Sequence, residues 1–117
     1  MIQQINLVRC GTGSSIELFQ YTAPGQSKRF APNSDIAGHH VAFYVRNEKA
    51  AVHMMASKGV KKFLGPFPVT AGPAAGQTIN YFLPPIGHYV EFISYPHGMK
   101  YAKSAHPPLW SPRTPRG

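Results

Sequence analysis

Three side chains in this sequence stand where they could bind a cation or move a proton. His40 opens an apolar, alternating run, and Glu17 and Glu91 lie in the middle of two similar runs. A bare carboxylate in an apolar strand is costly unless it is paired or bound to a metal. One imidazole and two carboxylates form a donor set that a divalent first-row metal accepts. The structural alternative is that His40 is an edge residue and that the glutamates pair with Arg9 or Arg46.

Alternating apolar and polar residues place these side chains on strands. Six strands are predicted, at residues 2–10, 15–21, 39–46, 60–65, 79–83 and 88–95. If the apolar residues of the third and sixth strands cover a helix, His40 and Glu91 point together to the other face of the sheet. Glu17 joins them if Ile16 and Leu18 pack inward. The same face would carry an aromatic pocket rim formed by Phe19, Tyr44, Tyr81 and Tyr89.

A single main helix is predicted between the third and fourth strands. Asn47 is a favourable N-cap, Glu48 suits the first turn, and Gly59 ends the helix. The helical period predicts that the face packed on the sheet consists of Ala51, Met54, Met55 and Lys58. The predicted fold class is therefore α+β, with a β-hairpin followed by a βαβββ module that forms a cupped mixed sheet.

The chain of 117 residues is long enough for one domain with a single modest core. Residues 1–96 are predicted to form this domain, and they divide into a hairpin (1–22), a linker (23–38) and the βαβββ module (39–96). Residues 97–117 are rich in proline and basic side chains, which predicts an extended tail.

Composition narrows the classes of function. Twelve Lys and Arg against four acids give a net charge of +8, but the bases are scattered, which does not favour specific nucleic-acid binding. A positive field instead favours an anionic small-molecule ligand. No run approaches the roughly 20 apolar residues of a membrane span, and the first residues lack the layout of a secretory signal. With Cys10 as the single cysteine, a reducing cytoplasm is the expected location.

Residues 38–96 resemble the C-terminal βαβββ module of the vicinal oxygen chelate superfamily, which includes glyoxalase I, bleomycin-resistance proteins and extradiol dioxygenases. The resemblance is carried by the segments GHHVAFYV, AAVHMMASKGVKKFLG and GQTINYFLPPIGHYVEFISYP. The preceding segment GTGSSIELFQYTAP resembles the last hairpin of the family's N-terminal module. The chain departs from the family pattern at Pro84-Pro85, where the family has an Asp-Pro turn.

The resemblance implies a divalent metal ion (Zn, Ni, Mn, Co or Fe) held by a histidine and a glutamate from each module. His40, Glu91 and Glu17 match three of these four positions. The fourth ligand, a histidine, has no counterpart, because the opening strands and helix of the first module are absent; His88 or His97 could substitute. The chain is accordingly expected to be truncated in its first module and to complete its sheet as a homodimer.

Two functions follow from the resemblance. The first is a metal-dependent lyase, isomerase, epimerase or dioxygenase acting on a small substrate with vicinal oxygens. In that enzyme Glu91 or Glu17 would act as the general base for an α-proton while the metal stabilises the enolate oxygen. The alternative is a metal-free protein of the bleomycin-resistance type that sequesters an aromatic or drug-like ligand. Substrate, metal and reaction type stay open at this point.

Overall fold

The computed structural model describes residues 1–11 and 13–114, and the chain forms two compact units. The first unit consists of Met1–Lys28 with Trp110–Gly117, and the second consists of Arg29–Leu109. The first unit contains the predicted hairpin and the second contains the predicted βαβββ module, so the predicted α+β fold is confirmed. Thr12 in the predicted hairpin turn and residues 115–117 of the predicted tail lie outside the described residues.

The hairpin of the first unit pairs β1 (Ile2–Arg9) with β2 (Ser15–Tyr21) in antiparallel fashion. Its open end is closed by the amino terminus, which donates to the carbonyl oxygen of Thr22 at 2.6 Å. Leu18, which the sequence pattern packs inward, is 47 % exposed. Among the described residues of this unit the hairpin therefore buries little apolar surface, as expected for a two-stranded ribbon.

The second unit is built on a four-stranded mixed sheet. In chain order its strands are β3 (His40–Tyr44), β4 (Lys62–Pro68), β5 (Thr78–Phe82) and β6 (Tyr89–Ser94). Their order across the sheet is β3-β6-β5-β4, with β3 parallel to β6 and the other neighbours antiparallel. The parallel pair aligns His40 with Tyr89, so the first residues of two strands distant in sequence meet at the same end of the sheet.

The helix α1 (Glu48–Ser57) begins where the sequence predicts. The side chain of Asn47 accepts a hydrogen bond from the backbone N–H of Ala50 at 3.0 Å, and Gly59 adopts the left-handed conformation (φ 76°) just after the helix. The packed face differs from the prediction: Glu48 is buried, and Met54 is 43 % exposed. The half-buried helix residues are Ala51, Val52 and Met55. The helix contacts β4, β5 and β6, and its least exposed residues are Glu48, Ala51, Val52 and Met55.

The core of the second unit lies on one face of β5 and β6. The rings of Phe82 and Phe92 meet edge to face at 5.0 Å between centroids, and Phe82 is completely buried. Since side chains alternate along a strand, Tyr81 and Glu91 lie on the opposite face. Gly65 lets β4 approach β5 closely, because a Cβ there would lie 2.6 Å from the carbonyl oxygen of Ile79.

Part of the segment predicted as an extended tail is folded onto the second unit. Lys100–Lys103 form a short 3-10 helix. The backbone N–H groups of Lys100 and Tyr101 donate to the carbonyl oxygens of Ala75 and Pro73 at 2.9 and 3.0 Å. These hydrogen bonds fix the segment against the loop between β4 and β5. Across residues 1–11 and 13–114, no helix combines the length and apolar character needed to span a membrane.

Candidate functional site

The candidate site is centred on a contact between His40 and Glu91. The Nε2 atom of His40 lies 3.0 Å from Oε2 of Glu91. The imidazole side chain is 36 % exposed, whereas the carboxylate side chain is only 8 % exposed. The parallel pairing of β3 with β6 positions the two residues, so the structure brings together two of the three side chains singled out from the sequence. A shielded carboxylate therefore meets an imidazole that solvent can reach.

Tyr81 completes a three-residue cluster around this carboxylate. It pairs directly with Glu91 across β5 and β6, and its ring meets the His40 ring edge to face at 5.2 Å. Burial, together with the nearby charge and hydrogen bond of Glu91, raises the pKa of Tyr81. The phenol accordingly keeps its proton near the Glu91 carboxylate.

Glu48 is a titratable group near the site that the sequence pattern did not single out. It is 8 % exposed, and neither carboxylate oxygen has a hydrogen-bond partner within the described part of the chain. Burial raises the pKa of Glu48 to about 7, and the charge of Glu91 adds to the increase. The sequence does contain an indication that Glu48 is buried. Glu48 precedes Ala51 by three residues and Val52 by four, and this spacing places it on the buried face of the helix.

Glu17 and Phe19, which the sequence analysis also singled out, lie on β2 in the first unit. Glu17 is exposed on β2 and lies opposite Leu7 of β1. The ring of Phe19 stacks on that of Tyr21, with centroids 5.9 Å apart.

The three predicted rim tyrosines of the second unit separate into different aromatic contacts. Tyr81 contacts His40, as described above, while the ring of Tyr44 lies 4.8 Å from that of Tyr95. Tyr89 is buried between Phe30 and Phe63, with centroid distances of 5.9 and 5.2 Å. Tyr81 is thus the predicted rim residue whose ring meets the His40 ring.

The His40–Glu91 pair fits two neighbouring positions around a divalent cation. Ligands about 2.1 Å from an octahedral ion are separated by about 3 Å, which matches the 3.0 Å between Nε2 and Oε2. Among the described residues, no group of three or more His, Cys, Asp or Glu side chains is arranged to hold a metal. Of the two histidines considered as substitutes, His88 contacts His39 and His97 is exposed. The pair therefore offers two protein ligands.

The fold is that of a glyoxalase-type protein. A crystal structure described as a glyoxalase family protein from Bacillus anthracis superposes with a TM-score of 0.51 and 19% sequence identity, covering 80% of this chain and 63% of that chain. At this level of identity the similarity shows the fold alone. The fold expected from the resemblance to the vicinal oxygen chelate superfamily is thereby confirmed.

A curated protein gives a more specific similarity. The chain is 36% identical over 110 residues to a protein from Actinomyces sp described as 2-epi-5-epi-valiolone epimerase, and the match covers 93% of this chain and 60% of that protein. The chain thus spans about three fifths of the length of both relatives. No protein-family model matches it.

Proposed function

We propose that this chain is a member of the vicinal oxygen chelate superfamily with an epimerase site, in which Glu91 removes the proton next to a substrate carbonyl. The observation that carries the proposal is the shielded Glu91 carboxylate, held between His40 and Tyr81 beside an accessible imidazole. Similarity to the Actinomyces protein supports 2-epi-5-epi-valiolone, or a close analogue of that ketone, as the substrate.

The chemistry requires a base whose position is fixed before the substrate arrives. The Glu91 carboxylate would take the α-proton from one face, and the electrons of the broken C–H bond would move to the carbonyl oxygen. Those electrons would then return to the carbon as a water molecule from solvent delivers a proton to the opposite face, which inverts the carbon. The contacts with His40 and Tyr81 limit the orientations open to the carboxylate. In a shielded environment the charges and dipoles of these two side chains act more strongly than they would in water.

The proposal includes a divalent cation held by His40 and Glu91. The role of Glu17 as a third ligand stays a prediction from the sequence. Such a cation would supply Lewis-acid stabilisation of negative charge on the substrate oxygen. A homodimer is also part of the proposal, supported by exposed apolar residues on the hairpin such as Leu7, which is 72 % exposed.

The proposed reaction can be tested by following the substrate carbon in heavy water. Incubation of the purified protein with 2-epi-5-epi-valiolone in D₂O is expected to give the epimer carrying deuterium at the inverted carbon, because a proton taken by a carboxylate exchanges with solvent. NMR measures both the epimer and its isotope content. Absence of turnover, or a product that keeps protium at that carbon, would contradict the proposal.

Metal binding gives a second prediction. Untagged protein analysed by elemental mass spectrometry should contain about one divalent cation per chain, and His40→Ala should remove it. His53→Ala is a matched control because His53 is an exposed histidine on α1. Equal metal content in the two variants would exclude His40 as a ligand. A metal-free protein that is stabilised by aromatic ligands would instead support the sequestering function.

A further inference from the structure

Ala42 is a small, exposed residue beside the Glu91 carboxylate. It lies on β3 directly opposite Glu91 of β6. Because side chains alternate along a strand, Ala42 shares the sheet face of His40, whose Nε2 atom lies 3.0 Å from that carboxylate. Its neighbours Val41 and Phe43, on the other face, are half-buried. A methyl group that solvent reaches therefore lies next to the proposed base, and the space over it is open.

An aromatic pair bounds this space at the end away from His40. Tyr44 lies two residues beyond Ala42 on the same face of β3, and its ring lies 4.8 Å from that of Tyr95 at an angle of 55°. Both residues are half-buried. Burial, then the neighbouring Tyr44 and Tyr101, raises the pKa of Tyr95, so its phenol keeps its proton. The pair thus offers an aromatic surface and a hydroxyl group that can donate a hydrogen bond.

The geometry of β3 determines how long the open space is. Alternate residues of a strand are separated by about 6.6 Å, so about 13 Å separates the Cα atoms of His40 and Tyr44, with Ala42 midway. We call the space over Ala42, between the side chains of His40 and Tyr44, the Ala42 gap. A methyl group at its centre leaves room for a substituted six-membered ring, whereas a larger side chain there would occupy that room.

The residues around the Ala42 gap suit a hydroxylated ring. The C–H groups of such a ring can pack by dispersion on the Ala42 methyl group and on the Tyr44 ring. The hydroxyl groups at its rim can hydrogen-bond to a tyrosine phenol or to water. An open-chain hydroxyketone would cover less of the aromatic surface and would lose more conformational freedom on binding. The gap therefore favours a ring over a chain of similar composition.

We propose that the Ala42 gap holds the ring of a hydroxylated cyclic ketone, with Ala42 limiting the size of the ring that can reach Glu91 and Tyr44 favouring a ring over an open chain. The inference rests on the proposed function for the reaction at Glu91, and it adds the residues that select the substrate. Ala42 and Tyr44 take no part in the proton transfer. Their contribution is to place the ring so that one edge lies beside the Glu91 carboxylate.

The test measures binding of 2-epi-5-epi-valiolone by calorimetry in a Glu91→Gln background, where turnover is expected to be negligible. Adding Ala42→Leu is expected to weaken binding at least 10-fold, because the leucine side chain occupies the space of the ring. Ala56→Leu is the matched control, since it makes the same change at an exposed alanine of α1, and its affinity should stay within about twofold. Equal affinity in the two variants would overturn the inference.

Two further measurements keep the test decisive even if Ala42→Leu does not fold. Tyr44→Ala should weaken binding at least 10-fold while Tyr44→Phe binds nearly as well as tyrosine, because the aromatic surface supplies the contact. With the side chain of residue 42 unchanged, NMR should show a nuclear Overhauser effect between ring protons of the ketone and the Ala42 methyl group. A bound ketone that shows no such effect would contradict the proposal.

Binding and turnover distinguish this inference from the proposed epimerase. If the wild-type protein binds the ketone and Ala42→Leu weakens that binding, the inference stands even where no epimer forms, and the proposed function alone fails. If the wild type epimerises the ketone and Ala42→Leu leaves kcat/KM unchanged, the inference fails and the proposed function stands. A wild-type protein that neither binds nor converts the ketone would overturn both.

Discussion

A Glu91→Gln variant is expected to lose about 10³-fold in kcat with little change in KM, because general-base catalysis contributes roughly 10²–10⁴ to a rate. Glutamine keeps the shape of the side chain and can still contact His40 and Tyr81, but it cannot accept the substrate proton. The rate of deuterium incorporation into 2-epi-5-epi-valiolone measures the loss directly. Circular dichroism of the variant establishes that the fold is retained.

Asp35→Asn is the matched control for this experiment. It also converts a carboxylate to an amide, at an exposed position in the turn that follows Pro32. Its kcat should stay within about twofold of the wild-type value, since surface substitutions away from a site change little. If Glu91→Gln kept about a tenth of the wild-type rate or more, Glu91 would not be the base. Glu17→Gln would then be the next variant to measure.

The second large effect is expected on the pH dependence of the free energy of unfolding, and its source is Glu48. Its pKa rises from 4.5 to about 7 in the folded chain, so the folded state binds this proton more tightly than the unfolded state. The free energy of unfolding should therefore fall as pH rises from about 4.5 to 7, by about 3 kcal/mol in total. Because a glutamine side chain does not ionise, Glu48→Gln should abolish this decrease in the free energy of unfolding. The variant should be about 2–3 kcal/mol more stable than the wild type at pH 8 and nearly equal to it at pH 5.

Urea unfolding at several pH values measures this difference. The comparison of variant with wild type cancels the contributions of all other titrating groups, provided that the variant does not change their environments. Lys49→Gln is the control, because it also removes a charge from the first turn of α1 but at an exposed position; its effect should stay within about 0.5 kcal/mol. A stability difference between Glu48→Gln and the wild type that does not change between pH 5 and pH 8 would contradict a raised pKa for Glu48.

Local chemistry predicts much of the fold and part of the site. Strict alternation along β3 and β6 places His40 and Glu91 on one face once the apolar residues of both strands share the other face, because each side chain points opposite to its neighbours. The boundaries of α1 at Asn47 and Gly59 follow from a capping side chain and a left-handed glycine, which are properties of a few adjacent residues. The parallel pairing of β3 with β6 joins strands that are distant in the chain, and local patterns do not predict it.

Tertiary packing decides what the sequence pattern does not show. A first-turn glutamate is usually solvated, so the burial of Glu48 depends on how α1 contacts the sheet. The direction of a tyrosine ring depends on its neighbours, and for this reason Tyr44 and Tyr89 lie in different aromatic contacts. His39 is the first residue of the predicted third strand, but β3 begins one residue later and the His39 ring lies against that of His88.

Because β3 pairs in parallel with β6, the proposed site is expected to form late in folding. The helix and two strands lie between these partners in the chain, so His40 and Glu91 can meet only after a long loop has closed. The capped helix and the antiparallel β5–β6 pair need only local contacts and can form first. A nascent or refolding chain would thus acquire most of its secondary structure before it can catalyse the proposed proton transfer. The Glu91 carboxylate would become reactive only when the residues around it are in place.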